Sequence, residues 1–406
     1  MRGVEKIKWN FSFPTAFSQE QQFAFRQTCE EAVAESYEGA GFQAAEQGNL
    51  LEPWPESKAS AYHFNKLGHS DTNFSEGAIC LDIGAGTTDI SIISGQPGKI
   101  VYHTSIQFAG RYLFHPIYAH YDYFAKDVPD LTDVDFEKKC AIIDADMREH
   151  SEDYLRQLKN ITGREDVRKV LQDTQFATAG IFYYLGEILK ELKAKGIYAE
   201  DHVPDVFVGG NGSRIFSWIT GGAFASDSPF LLVLKHMLIH ASGLAEDSQF
   251  DIKLSERPKI EVAAGMIERR PHNDEEFFDE AAQTKKLFGD HVDEYIASSV
   301  LSGDAYEEAG AEKPGSAFLS AYDIAKGITV QRLDMLKDFV KEFNNDLHIW
   351  SDGVEISEDD ARDIQKRVNS YYVSEKDKDV KKIYVEPVFI MGLRKTVEKL
   401  VNENDG

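Results

Sequence analysis

Cysteine is scarce in this chain of 406 residues: Cys29, Cys80 and Cys140 are the three, and they lie far apart. Such spacing supports neither a disulfide framework nor a zinc pattern, and it fits a reducing cytoplasm. Long hydrophobic runs are lacking as well. No stretch reaches membrane-spanning length and no signal-peptide pattern opens the sequence, so neither a membrane span nor secretion is expected. Positive charge is in deficit, with 44 Lys and Arg against 69 Asp and Glu and a net charge of −25. A field of that sign repels nucleic acid and anionic lipid, which excludes a direct nucleic-acid role. Low-complexity tracts and solenoid repeats are missing. So are the G-x-S-x-G elbow of serine hydrolases and any histidine near a cysteine that would mark a thiol nucleophile. His236 and His240 stand four apart on one helix face, but Met237, Leu238 and Ile239 lie between them. Without the glutamate of H-E-x-x-H and with no third ligand in view, they read as a helix at the core's edge. His115 and His120 are five apart around Pro116 and share no helical face.

What is present begins with ordinary globular material, 42% hydrophobic and 12% aromatic, in a length that predicts two or three domains. The most informative segment is residues 81–92, LDIGAGTTDISI. Apolar flanks (Ala78, Ile79, Cys80 and Leu81 before; Ile90, Ile92 and Ile93 after) predict two buried strands joined by a tight hairpin. Gly84 and Gly86 permit positive φ and place no Cβ in the way, so backbone N–H groups can converge on an anion. Thr87 and Thr88 add hydroxyl donors, and Asp82 is placed to hold a hydrated divalent cation. A hairpin with an incidental carboxylate is the plainer alternative. A Rossmann turn or a P-loop does not fit, because the glycine spacing differs and a strand follows where those motifs need a helix.

The segment resembles the second phosphate-binding hairpin, D-[LI]-G-[GA]-G-T-[TF]-D, of the superfamily of actin, the heat-shock chaperone ATPases and the sugar kinases. Its TTDIS ending is most similar to the bacterial actin homologues of cell-division type. Two further segments match in order. Residues 205–215, DVFVGGNGSRI, resemble the superfamily's adenosine motif, and ESKASAYHF at 56–64 resembles the E-P-x-A-[SA]-A helix that follows the first lobe. Glu56 precedes Asp82 by 26 residues. Departures are Ser57 in place of proline, Lys58 after it, and the additional Asn211-Gly212. The resemblance implies an ATP and Mg²⁺ site. In it Asp82 orients the waters of the metal, Glu56 polarises the attacking water, Gly84, Ala85, Gly86, Thr87 and Thr88 hold phosphates, and Gly209, Gly210, Asn211 and Arg214 flank the adenosine. The implied activity is an actin-like or chaperone-like ATPase in which lobe closure couples nucleotide state to a protein partner or to self-assembly. The alternatives are a non-catalytic scaffold and, more remotely, a small-molecule kinase. Acidity does not oppose ATP, because local amides and a cation govern such a pocket.

The implied fold is α/β: an RNase-H-like lobe of mixed sheet flanked by helices over residues 69–270, preceded by the end of a first lobe over 1–68. KIKWNFSFP, with Ile7, Trp9, Phe11 and Phe13 alternating before Pro14, reads as a strand, and a helix capped by Ser18 follows. After the hairpin, KIVYHTSIQFAGR reads as a third strand. Residues 111–200 read as mainly helical, with an amphipathic stretch at Phe176, Gly180, Ile181, Tyr184, Leu185, Ile188, Leu189 and Leu192. Residues 230–243 read as a further helix, DIKL as the last strand, and PKIEVAAGMIERR as the last helix. Residues 271–406 read as an acidic, mainly helical extension, either packed on the lobe or used for docking. It has amphipathic segments at Phe277, Phe278, Ala281 and Ala282 and at Leu333, Met335, Leu336, Phe339, Val340 and Phe343, acids at Glu275, Glu276, Asp279 and Glu280, and a late strand-like KKIYVEPVFIMG. The superfamily's first phosphate hairpin, D-x-G-[TS], has no match. We expect a fragment of a longer protein, rather than a second polypeptide supplying the strands or an abandoned site, and ATP turnover only where that hairpin is supplied.

Overall fold

Strand β3 (Ala78–Ile83) alternates as its sequence requires, and the two sides of its pleat enter two different cores. Ile79, Leu81 and Ile83 join Ile90 and Ile92 of β4 (Thr88–Ile93) and Val206 and Val208 of β6 (Val206–Gly209) in a large core on one face. Ala78 and Cys80 join Ile93 and Phe207 in a smaller core on the other. A one-residue slip of register would exchange the two faces, so burial on both sides fixes it. In a computed structural model the described residues are 9–15, 19–39, 53–66, 76–95, 100–124, 134–194, 196–245, 248–268, 334–345, 353–364, 366 and 387–403.

The sheet has five strands in the order β5-β4-β3-β6-β7, with β5 at Ile100–Ile106 and β7 at Ile252–Leu254. β3, β4 and β5 form an antiparallel meander, while β6 and β7 run parallel to β3. The chain order of meander, helices, strand, helix, strand and helix is that expected of the RNase-H-like lobe, and the fold is mixed α/β with helices on both faces. A separate short pair, β1 (Ser12–Phe13) and β2 (Trp54–Pro55), runs parallel. Of the strand expected in KIKWNFSFP only Ser12 and Phe13 form a ladder; Ile7 lies outside the described residues, and Asn10 instead donates its side-chain amide to the Met266 carbonyl at 2.9 Å. Helix α1 covers Gln19–Gly39, and its expected cap Ser18 lies outside the described residues.

On the smaller-core face lie α2 (Glu56–Lys66) and α10 (Glu261–Glu268). They cross so closely that a Cβ on Gly265 would fall 1.9 Å from the Ala59 carbonyl oxygen. The larger face carries α3 (Gly110–Leu113), α4 (His115–Ala119), α5 (Phe136–Glu149), α6 (Ser151–Ile161), the 30-residue α7 (Glu165–Ala194), α8 (Ile215–Ile219) and α9 (Pro229–Ser242). Gly180 and Gly186 of α7 set two helix crossings. A Cβ at Gly180 would meet Leu393 Cδ2 at 2.3 Å, and one at Gly186 would meet the Leu238 carbonyl oxygen and Ala241 Cβ at 2.6 Å.

The described parts beyond residue 270 belong to this same core. Helix α11 (Asp334–Asn345) sets Phe339 and Phe343 against Phe176, with ring centroids 4.8 and 5.1 Å apart. Helix α12 (Val388–Glu403) buries Phe389, Ile390, Leu393, Val397, Leu400 and Val401. The strand-like reading of KKIYVEPVFIMG is therefore corrected over Val388–Gly392, which are helical: Pro387 precedes the helix and the apolar positions recur at three- and four-residue steps against α7. Leu333 and residues 275–282 lie outside the described residues.

Candidate functional site

The pleat that sends Ile79, Leu81 and Ile83 into the large core turns Asp82 toward α2 and α10. In the ladder Asp82 stands opposite Asp89 of β4 on one side and Gly209 of β6 on the other. Two carboxylates directly opposite each other in a sheet repel, and here both are largely buried. Glu56, the first residue of α2, and Glu261, the first of α10, bring two more acids to the same spot. The group lies at the carboxyl ends of the parallel strands β3 and β6, where open α/β sheets place their ligands.

The electrostatic consequence is direct. Burial, followed by the charges of Asp89, Glu261 and Glu56, pushes Asp82 up to about 7. Burial pushes Asp89 up to about 6, and burial with the Asp89 charge raises Glu56. Glu261 is 1% exposed; its Oε2 accepts from the Lys259 amide at 2.8 Å, while Oε1 has no hydrogen-bond partner. Asp89 Oδ1 is likewise buried without one. Buried carboxylate oxygens without a hydrogen-bond partner suit a cation held through its water shell, which would offset their mutual repulsion; among the described residues no three of these four acids bring ligand atoms within 4.8 Å of one another.

Beside the acids the two glycine-rich segments meet. Gly210 has φ +74, and a Cβ there would lie 2.3 Å from Asp82 Oδ1 and 2.4 Å from the Ile83 carbonyl oxygen, so only glycine allows this approach. Gly212 lies against Ile83 and the Gly84 carbonyl in the same manner. Gly209 leaves the space that Glu261 fills, since a Cβ there would be 2.9 Å from Oε1. At the hairpin tip the Gly84 amide donates to the Thr87 carbonyl at 2.9 Å. The Gly84 and Ala85 carbonyls accept from the amides of Gly110 and Arg111 at 3.0 and 2.9 Å. Ala85 and Gly86 are exposed, and among the described residues no backbone carbonyl takes up their amides.

The structure thus brings together Asp82, Glu56, Gly84, Ala85, Gly86, Gly209 and Gly210. Thr87 sits half-buried at the turn. Thr88 is buried, and its hydroxyl donates to the Phe108 carbonyl at 2.7 Å, tying the hairpin to the end of β5. Asn211 and Arg214 bound a 3₁₀ turn directly after Gly210, with Arg214 exposed. Sequence reasoning missed Asp89, Glu261 and Gly110. Asp89 was within reach, being the last letter of the hairpin pattern. Glu261 was not, because only the crossing of α10 over α2 places it there.

No protein-family model matches this sequence, and no curated protein does either. Solved structures match in part. The ethanolamine utilization protein EutJ from Carboxydothermus hydrogenoformans is similar at 18% identity and TM-score 0.33, over 65% of this chain and 66% of that one. MreB5 of Spiroplasma citri bound to AMPPNP is similar at 26% identity and TM-score 0.21, over 30% of this chain and 32% of that one. A PilM–PilN type IV pilus biogenesis complex follows at 15% identity and TM-score 0.29, over 59% and 57%. This chain spans less than two thirds of each. At those TM-scores the likeness says nothing about the site, which rests on the residues described above. Among the described residues no helix is long and apolar enough to cross a membrane.

Proposed function

We propose that this chain is an actin-like nucleotide-binding protein that holds Mg²⁺-ATP where β3 and β6 end, as the hairpin, the Gly209-Gly210 loop and the order of the two in the chain imply. The observation that carries the reading is the four-carboxylate cluster beside an anion-ready hairpin. A cluster of acids alone repels a triphosphate, and glycine amides alone do not need acids; the two together suit a phosphate chain with its cation. Asp82 and Asp89 would hold the cation's water shell. Its chemistry is to neutralise charge on the phosphate oxygens. The amides of Ala85 and Gly86 bind phosphate oxygens, and Gly209, Gly210, Asn211 and Arg214 border the nucleoside. Glu56, its carboxyl raised by burial and then by the Asp89 charge, would accept a proton from the attacking water. Turnover would require the superfamily's first phosphate hairpin, D-x-G-[TS], in addition, and lobe closure would then report nucleotide state to a protein partner or to further copies of the chain.

The test is calorimetric titration of ATP with Mg²⁺ into the protein and into Asp82→Ala. Saturable binding that needs both the metal and Asp82 supports the reading. Binding of equal strength in Asp82→Ala would sink it. Binding without hydrolysis, when a segment carrying the first phosphate hairpin is supplied, would favour the scaffold over the ATPase.

A further inference from the structure

Away from the acids, where α9 meets α11, the two histidines read from the sequence as a bare helix edge acquire partners. His236 and His240 lie four apart on α9, and Asp338 and Glu342 lie four apart on α11. Residues at that spacing share one helical face, so two imidazoles confront two carboxylates across the crossing. His236 Nε2 lies 2.9 Å from Glu342 Oε1, and His240 Nδ1 lies 3.8 Å from the same oxygen. Donor atoms of His236, His240 and Glu342 all fall within 4.8 Å of one another.

We propose that His236, His240 and Glu342 form a binding site for one divalent transition ion of the zinc class, which staples α11 to α9. A tetrahedral zinc ion with bonds of about 2 Å holds its ligand atoms about 3.3 Å apart. The two histidine–glutamate separations, 2.9 and 3.8 Å, lie on either side of that value, and the two imidazole donors lie within 4.8 Å of each other, so side-chain rotations of up to about 1.5 Å close the site. Two imidazoles and one carboxylate are a three-ligand zinc set that leaves the fourth position for water or an exogenous ligand. The outer shell fits too. His240 Nε2 lies 3.0 Å from Asp338 Oδ2, and that oxygen also accepts from the Tyr183 hydroxyl at 2.8 Å. With Nδ1 on the metal, His240 carries its proton on Nε2 and donates it to Asp338, an arrangement that fixes the tautomer and raises ligand basicity. The ligand side chains are 17% to 44% exposed, so the ion has a path from solvent. Simple ion pairing would use the same four side chains, so the prediction must read metal.

The full chain, stripped with a chelating resin, is titrated with zinc against a chromophoric chelator, with excess Mg²⁺ present to fill oxygen-only sites. One equivalent is expected, and cobalt in its place should give the visible absorption of a four-coordinate N/O site. Asp338→Asn, which keeps all three ligands, should weaken zinc by about 10- to 100-fold. His236→Gln and Glu342→Gln should weaken it by at least that much and abolish the cobalt bands, while far-ultraviolet circular dichroism shows the helices intact. Absence of stoichiometric uptake in the parent chain would overturn the proposal. So would zinc affinity unmoved by both His236→Gln and Glu342→Gln.

Discussion

Asp82→Asn should stabilise the metal-free protein, by an amount that grows as pH rises from about 4 to about 7 and is largest above it. In the unfolded chain Asp82 titrates near its ordinary 3.8, whereas in the fold burial and then the charges of Asp89, Glu261 and Glu56 hold its proton to about 7. Between those values the folded state binds a proton that the unfolded state has released. Stability therefore falls as pH rises through the window and is lowest above it. At about 1.4 kcal/mol per pKa unit, the penalty reaches about 4 kcal/mol. That is an upper figure, because the carboxylates share one set of repulsions and titrate together. Urea unfolding followed by circular dichroism, in EDTA at steps from pH 4 to 8.5, reads the difference. Asp82→Asn should exceed the parent by about 2–4 kcal/mol at pH 8.5 and match it near pH 4, and Mg²⁺ should narrow the gap at high pH by stabilising the parent alone. A gap that is the same at every pH, or absent throughout, would refute the idea that a buried, mutually repelling carboxylate sits at this position.

Three further substitutions test the framework. Gly210→Ala meets both a positive φ and an oxygen 2.3 Å from the new Cβ, so a loss of about 2–5 kcal/mol in chemical unfolding is expected, together with loss of nucleotide binding. Gly186→Ala overpacks the α7–α9 crossing, where the new Cβ would stand 2.6 Å from the Leu238 carbonyl oxygen, and should lower stability by about 1–3 kcal/mol without touching nucleotide affinity. Phe339→Ala empties a fully buried position against Phe176, Tyr183 and Phe389. A loss of about 3–5 kcal/mol is expected in the unfolding of the whole lobe. A variant that melts α11 and leaves the remaining transition in place would show α11 to be an accessory instead.

Local patterns carried the sheet and half of the site. The alternation in AICLDI and TDISII sets two faces, and the glycines between them leave a hairpin as the connection, so Asp82 and the turn were readable. Asp89 follows from the same pairing, since the residue opposite Asp82 is fixed once the turn is. Glu261 could not be read, because its partners Gly209 and Asp82 are remote in sequence and reach it through the α2–α10 crossing. The segment at Val388 misread for a related reason. A short apolar run fits either period, and what selects the helix is the groove that Gly180 opens for Leu393. The third ligand beside His236 and His240 sits on α11, about a hundred residues on, and no local spacing announces it.

Because described residues beyond 270 enter the large core, they also reach the segment beneath the proposed nucleotide site. Arg394 of α12 donates to the Gln107 carbonyl at 2.6 Å and lies 4.7 Å from the Tyr112 ring centroid. Between those two contacts the chain passes through Phe108, whose carbonyl holds the Thr88 hydroxyl, and through Gly110 and Arg111, whose amides hold the Gly84 and Ala85 carbonyls. Each link is a short hydrogen bond or a stacked ring, Phe108 and Tyr112 being parallel at 5.4 Å. Helix α12 therefore rests against the segment whose amides hold the hairpin tip. Packed cores shift between discrete arrangements instead of deforming smoothly. The contacts of Arg394 thus run without a break from α12 to the turn proposed to hold phosphate, at the same end of the sheet.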